Sequence, residues 1–399
     1  MALPLEGVRI LDFTWVVAGP VATRILADHG ADTIKVERSN PAPLGNRKAG
    51  MQLDLHRGKR SIAINMGNPN GVELARRLAA KSDVVIDNFS ARVMRSWGMD
   101  YQSLTKVRPD IISVSMSGLG HTGPRASYVS YGPTLQALGG YTALMTDTDG
   151  RPAGYGYSYA DMSGGYTGAL AVLIALWHRR RTGQGQFIDL SQFEAVCAVI
   201  GPSLLDIAAN GREQKPQLYN SQESPAAPHG VYRCASRGTD NDRWIAIAAH
   251  TQRQWQQLAE AIGAPPWTRD PKFATLYLRM RNREELDSNL GRWTATVSAE
   301  DAMLTLQRAG VPAGVVANGE DMCARDPHLQ AREFWAPLRG LDGKTTHVTG
   351  IPFRLSSGSG EIRALGPNVG EHTDDVLGEI LGVGRAERDE LVRSGALWG

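Results

Sequence analysis

Three cysteines in 399 residues, Cys197, Cys234 and Cys323, are too few, too scattered and odd in number for a disulfide framework, and they fit a reducing cytoplasm. Histidine offers no more to a metal. His121, His229 and His250 belong to no HExxH or other ligand spacing, so no metal site is expected. An excess of one charge is also missing, since 43 Lys and Arg face 41 Asp and Glu, a net charge of +2. That balance argues against nucleic acid or a membrane surface as partner and leaves a small anionic ligand open. The longest apolar run, residues 169–177, falls well short of the roughly 20 residues that span a bilayer and reads as a buried helix. The N-terminus lacks a basic segment followed by an apolar stretch and cleavage site, so no signal peptide is expected. There is no repeat of solenoid length, no low-complexity tract and no Gly-x-Ser-x-Gly elbow of a serine hydrolase.

What remains is ordinary globular composition, 42% hydrophobic and 21% charged, in a chain longer than one core usually supports, so two domains are expected. Residues 9–14 read as strand, 19–29 as helix with Pro20 in its first turn, and 33–36 as strand. The alternation continues with strand 61–65, amphipathic helix 70–81, strand 84–87, short helix 92–98 and strand 111–115. It predicts an α/β fold on a doubly wound parallel sheet. Ligands then gather at the carboxyl ends of the strands, where residues 14–18, Arg38 and Asn88 fall. After helix 169–180 and strand 187–190, one long helix is expected from 191 to about 210, completing a large domain over 1–210. Residues 211–227 are polar and proline-bearing and read as a linker. A hairpin at 230–233 and 244–248, with helices near 252–262, 283–294 and 299–309, makes 228–324 an inserted smaller α+β domain. Residues 325–399, with strand-like 347–353 and helices 373–381 and 386–394, are expected to return to the large domain.

Asp161 carries the most chemical information. It opens the long apolar helix, where backbone N–H groups lack partners and the dipole is positive, a position that favours an ionised carboxylate. Gly164 and Gly165, one turn on, remove two side chains and let another molecule approach the backbone. The competing reading is a plain helix cap. Other motifs reduce to structure. The Gly-x-Gly-x-x-Gly string of residues 118–123 follows a strand. Yet Pro124 comes next, no helical spacing follows, and no strand ends in an acidic residue at the dinucleotide distance, so it reads as a loop. Glu37 ends the second strand where a Rossmann enzyme holds ribose, but the first turn, residues 15–20, has a single glycine. Arg38 beside it either pairs with a phosphate as a bidentate donor or stands solvated. The basic run 178–183 suits a helix C-terminus, with cations against the dipole and Gly183 as cap.

Several segments, taken in order, resemble the family III CoA-transferases of the CaiB/BaiF superfamily, the group that includes formyl-CoA transferase and carnitine CoA-transferase. They are residues 5–13, Ala18-Gly19-Pro20, residues 30–38, Arg57-Gly58-Lys59-Arg60-Ser61, Asp87-Asn88-Phe89, Asp161 with Gly164-Gly165, and residues 180–186 and 227–232. The resemblance implies that Asp161 is a nucleophile that forms an acyl-aspartyl anhydride and then an aspartyl-CoA thioester. It implies that Val16, Arg38, Ile64 and Asn88 contact CoA, with Arg38 at the nucleotide phosphates. Ser96 and Val129 stand where family members often carry basic residues, and Arg95 and Arg125 are the expected substitutes. Backbone N–H groups near Val17, Ala18 and the Gly164-Gly165 turn are candidates for stabilising the oxyanion. No tightly bound cofactor is implied, CoA thioesters being substrates, and the family builds an interlocked homodimer. The glycine-rich loop of formyl-CoA transferase has no counterpart between Gln217 and Pro228, so shielding from water is expected from elsewhere.

The superfamily also holds α-methylacyl-CoA racemases, which move an α-proton with a His and Asp pair. Residues 130–133 here read Ser-Tyr-Gly-Pro, without histidine, and a tyrosine of ordinary pKa about 10 is a poor base. A non-catalytic CoA-binding subunit is expected to lack Asp161, and a nicotinamide oxidoreductase needs the missing fingerprint. Arg47 and Lys48 suit a distal carboxylate, which points to a dicarboxylic donor such as succinyl-CoA, or they form a solvated loop.

Overall fold

Strands buried on both faces read as continuous apolar runs, and that is the texture of Val84–Asp87 and Ile112–Ser115, where every residue is buried. The computed structural model describes residues 2–38, 50–145, 149, 151–154, 156–211, 225–236, 238, 242–340 and 343–398. In chain order it runs β1 (Arg9–Asp12), α1 (Ala18–Asp28), β2 (Asp32–Glu37), α2 (Met51–Leu55), β3 (Arg60–Ala63), α3 (Pro69–Ala80) and β4 (Val84–Asp87). It continues with α4 (Val93–Ser96), α5 (Tyr101–Leu104), β5 (Ile112–Ser115), α6 (Gly132–Leu138), α7 (Tyr159–Thr182), β6 (Gln186–Asp189), α8 (Gln192–Val199) and α9 (Gly201–Asn210). Two compact units result: Met1–Thr142 with Gly154–Gly201 and Pro327–Gly399, and Ala143–Ala153 with Pro202–Asp326.

In the first unit six parallel strands lie in the order β3-β2-β1-β4-β5-β6. The chain builds outward from β1 to β3, then restarts on the other side of β1 with β4, which is the doubly wound arrangement expected. The reversal leaves a crevice beyond the carboxyl ends of β1 and β4, since their following loops part to opposite sides. Alternate residues of each strand feed the two faces. Leu11, Ile34 and Val85 join Leu74 and Leu78 of α3 on one side, and Ile10, Val84 and Val114 join Ala22 and Leu26 of α1 with Val172 of α7 on the other. Each such fully buried side chain contributes about 1.5–3 kcal/mol.

The Arg57–Ser61 segment, one of those carrying the family resemblance, works here as a staple. Arg57, 1% exposed, bonds Asp28 and Asp54 at 2.7 Å each, and Arg60 bonds Asp32 at 2.7 Å. Ser61 donates to Glu37 at 2.6 Å, which ties the acidic end of β2 into the sheet.

Two expectations need correction. Residues 169–177 are not buried all round: Ala169, Val172 and Ala175 are buried, while Tyr166, Leu170, Leu173, Ile174 and Trp177 form an exposed apolar stripe at helical spacing along α7. The single helix from 191 to 210 is two, α8 and α9, interrupted at Ile200. Pro202 has no N–H and its ring clashes with a helical carbonyl four residues back.

The second unit contains the expected antiparallel pair β7 (His229–Arg233) and β8 (Trp244–Ala248), joined by a third strand that the sequence reading lacks, β9 (Ala313–Val315). Helices α10 (Gln252–Ala261), α11 (Leu276–Arg281), α12 (Arg283–Thr294) and α13 (Ala299–Arg308) pack Leu258, Leu290 and Leu306 onto Ile245 and Ile247. The chain then adds α14 (Pro327–Ala331), the hairpin β10 (Trp335–Arg339) and β11 (Thr345–Thr349), α15 (Thr373–Leu381) and α16 (Arg385–Arg393) to the first unit. Val376, Leu377 and Leu397 enter the same core as Leu11. Among the described residues no single helix is long and apolar enough to cross a membrane.

Candidate active site

β1 and β4 each end in a buried aspartate that turns the chain. Asp12 accepts the N–H of Thr14 at 2.8 Å, and Asp87 accepts the N–H of Phe89 at 3.0 Å, so each side chain closes a turn two residues on. Between the turns Asn88 reaches across to Trp15: its Oδ1 accepts the Trp15 N–H at 2.9 Å and its Nδ2 donates to the Trp15 carbonyl at 2.9 Å. The next residue, Val16, has φ of 63°, in the left-handed region that a β-branched side chain strongly disfavours. Val17 then precedes α1, which starts at Ala18 with Pro20 in its first turn.

The second wall comes from α7. Ser158 occupies the position before the helix and Asp161 lies in its first turn. The Ser158 hydroxyl donates to Asp161 Oδ2, so the serine, and not the aspartate, sits at the cap position. Gly132 at the start of α6 makes room for this pair. A Cβ there would lie 1.6 Å from Ser158 Oγ and 2.3 Å from Asp161 Oδ2, so any side chain at 132 displaces the carboxylate.

Asp161, Val16 and Asn88 line one cavity of about 250 Å³ with Trp15, Phe89 and Tyr131. None of the described residues lining it is Lys, Arg or His, so Asp161 is its only carboxylate and its one formally charged side chain. Burial pushes the Asp161 carboxyl above its ordinary value, with the Ser158 hydrogen bond opposing the shift. Behind the wall, burial also raises Asp87, to about 7, against the bonds from Ser115 and Phe89. For Asp12 burial is overcome by the Lys59 and Lys35 ammonium groups and by the hydroxyls of Thr14 and Thr23, which hold it below its ordinary value.

The other residues singled out from sequence fall elsewhere. Val17 and Ala18 are buried at the start of α1, where the first N–H groups have no partner inside the helix. Gly164 and Gly165 do not serve as expected. They are the sixth and seventh residues of α7, past the turn with unpaired donors, and their missing side chains admit protein. A Cβ at 164 would lie 2.9 Å from the Gln192 side chain, and one at 165 would lie 2.6 Å from Val21 and 2.8 Å from the Ala18 carbonyl. Ile64, 1% exposed, packs in the core and bridges Leu397. Arg38 stands exposed after β2, Arg95 exposed on α4 and Arg125 exposed in the loop before α6; none of the three lines the cavity. Arg47, Lys48 and most of the stretch from Gln217 to Pro228 lie outside the described residues.

Trp15 lies in the 14–18 segment where ligands were expected to gather, whereas sequence reasoning assigned no site role to Ser158, Tyr131 or Gly132. Ser158, a cap-type residue three positions before Asp161, was the legible signal among them. The residue 118–123 string is a loop as expected, tied by the His121 N–H to Asp189 at 2.9 Å.

A family model for CoA-transferase family III matches residues 5–373. The chain is 31% identical over 390 residues to the succinyl-CoA–D-citramalate CoA-transferase of Chloroflexus aurantiacus, covering 95% of this chain and 94% of that protein. It is 30% identical to the succinate–glutarate CoA-transferase of Agrobacterium fabrum, covering 94% and 96%. Among solved structures a CaiB/BaiF family protein from Brucella suis superimposes with a TM-score of 0.85 at 30% identity, over 95% of this chain and 100% of that one.

Proposed function

This chain belongs to CoA-transferase family III, and we propose that it passes CoA from an acyl-CoA thioester to a free carboxylic acid by covalent chemistry on Asp161. The observation that carries this reading is the lone, desolvated Asp161 carboxylate on an otherwise uncharged cavity beside the sheet's reversal point. A carboxylate oxygen attacks the thioester carbonyl and the C–S bond breaks, giving an acyl-aspartyl anhydride and CoA thiolate. The thiolate attacks the aspartyl carbonyl of the anhydride, releasing the donor acid and leaving aspartyl-CoA. The acceptor carboxylate then displaces the thiolate to form a second anhydride. Return of the thiolate to the acceptor's acyl carbon completes the new thioester and frees Asp161. No step changes oxidation state. Each tetrahedral intermediate places negative charge on a carbonyl oxygen, and the Val17 and Ala18 N–H groups at the start of α1 are suited to receive it. The uncharged lining suits a pantetheine arm.

Succinyl-CoA is the donor we favour, because the citramalate relative is named for it and the glutarate relative for succinate. Of the sequence-derived CoA contacts, Val16 and Asn88 line the cavity beside Asp161. Arg38, Arg95 and Arg125 are exposed and do not line it, and we assign them to the nucleotide phosphates. We assign the enzyme to the cytoplasm, in keeping with its three free cysteines. The exposed stripe on α7 supports a homodimer, since Leu170 at 57%, Ile174 at 58% and Trp177 at 60% exposure are costly to leave in water. Light scattering of wild type and Ile174→Lys tests this: a dimer converted to monomer supports it, and a wild-type monomer refutes it.

Intact-protein mass spectrometry after brief incubation with succinyl-CoA and quenching with hydroxylamine tests the chemistry. The expected result is a mass change localised to Asp161, with CoA exchange lost in Asp161→Ala. Exchange that persists in Asp161→Ala refutes the assignment.

A further inference from the structure

Family resemblance makes Asn88 a CoA contact, but both ends of its side-chain amide are already engaged by one backbone unit, Trp15, 73 residues away in the chain. That clamp sits directly before Val16, one of three non-glycine residues with positive φ among the described residues and the only β-branched one. A residue in that region is strained and persists only where its surroundings over-determine it. Here the flanking residues supply that constraint. Thr14 is held from one side by Asp12, through its N–H at 2.8 Å and its hydroxyl at 2.5 Å, and by Lys35, which donates to its carbonyl. Trp15 is held from the other side by Asn88, and its ring packs 6.4 Å from Phe89. Asp87 in turn holds the Phe89 N–H and receives the Ser115 hydroxyl at 2.7 Å. The two turns at the reversal point are therefore one locked assembly, with Val16 as its strained member.

We propose that Asn88 is a positioning residue. It keeps the Trp15–Val16 turn left-handed, and the turn sets where the first N–H groups of α1 stand relative to a thioester carbonyl at Asp161. The inference rests on Asp161 as the nucleophile. Without the clamp, Val16 relaxes to negative φ and the peptide leading into Val17 rotates, so the loss falls on the transition state more than on the bound donor.

The test is a double-mutant cycle of Asn88→Ala and Val16→Gly, with kcat and the KM for succinyl-CoA measured separately and thermal unfolding recorded for each variant. Glycine takes positive φ without penalty, so Val16→Gly removes the need for the clamp. Asn88→Ala is expected to lower kcat about tenfold with KM changed less than about twofold. In the Val16→Gly background the same change is expected to cost much less. A direct CoA contact predicts the reverse: KM rises on Asn88→Ala by the same factor in both backgrounds, and that result overturns the proposal. Should Asn88→Ala fail to fold, Asn88→Asp replaces it. The aspartate keeps the acceptor for the Trp15 N–H but sets an oxygen against the Trp15 carbonyl. A kcat loss relieved by Val16→Gly supports the clamp, and wild-type kcat overturns it. Absence of an Asp161 adduct in wild type would refute the nucleophile itself. An adduct in wild type with equal losses in both backgrounds refutes the Asn88 role alone.

Discussion

The turns after β1 and β4 share a construction and differ in charge. Asp12 and Asp87 each end a strand, each lie fully buried, and each accept the N–H two residues on. Asp12 also faces Lys59 Nζ at 3.2 Å and the hydroxyl of Thr23 at 2.7 Å, whereas Asp87 receives one serine hydroxyl at 2.7 Å. The first is held below the ordinary carboxyl value and the second is pushed up to about 7. Local geometry is therefore not what decides ionisation here. The number of cations buried with the carboxyl decides it, because burial penalises both charged forms alike. Burial pushes Lys59 down to about 7, with Lys35 adding to the effect and Asp12 opposing it.

Removing each carboxylate breaks the comparison most directly. Asp12→Ala takes from the buried Lys59 the carboxylate that it meets at 3.2 Å and is expected to cost about 3–5 kcal/mol in denaturant unfolding. Asp87→Asn copies the shape of a neutral acid and keeps the acceptor for Phe89, so a change below about 1 kcal/mol at pH 6 is expected. Equal losses would mean that the turn, and not the cations, carries the energy.

The pH dependence sharpens the same contrast, with opposite signs. Asp87 has a folded value raised above 3.8, so its contribution is full below about pH 4 and disappears as pH rises through about 7. The stability of wild type relative to Asp87→Asn should fall between pH 5 and 8, by on the order of 2 kcal/mol. Lys59 has a folded value lowered from 10.5 to about 7, so its contribution is full above the ordinary lysine range and lost as pH falls through about 7. Wild type relative to Lys59→Met should therefore gain stability from pH 7 to 10. Parallel slopes in the two series would contradict the assignment.

The fold was legible because its signals are local. Apolar runs bounded by turns marked the strands, residues 70–81 showed helical spacing where α3 runs Pro69–Ala80, and β4 matched residue for residue. Asp161 was visible as a carboxylate at a helix start. What could not be read joins distant residues. The Asn88 clamp spans 73 positions, and valine is among the last residues to suggest a left-handed turn. Gly164 and Gly165 look equally open whether a substrate fills the space or, as here, Gln192 and α1 do, and the apolar length of α7 does not tell one chain's core from an exposed stripe. The break at Ile200 was readable after all, since Gly201-Pro202 stood in plain view.

Asp161 is the intermediate case between the two turns, and it gives the smallest effect. Like Asp87 it is raised by burial, and the only opposition among the resolved causes is the Ser158 hydroxyl. Ser158→Ala removes that opposition, so the carboxyl should move further up. As the proposed nucleophile, Asp161 must be ionised to attack, and a carboxyl that protonates at higher pH loses activity sooner on acidification. The acid limb of the kcat profile should therefore lie above 3.8 in wild type and further up in Ser158→Ala. On the alkaline side of both limbs the two plateaus should agree. A limb that stays in place while the plateau drops would show that Ser158 orients the carboxylate and does not tune it. The lesson of the two turns would then stop short of the cavity.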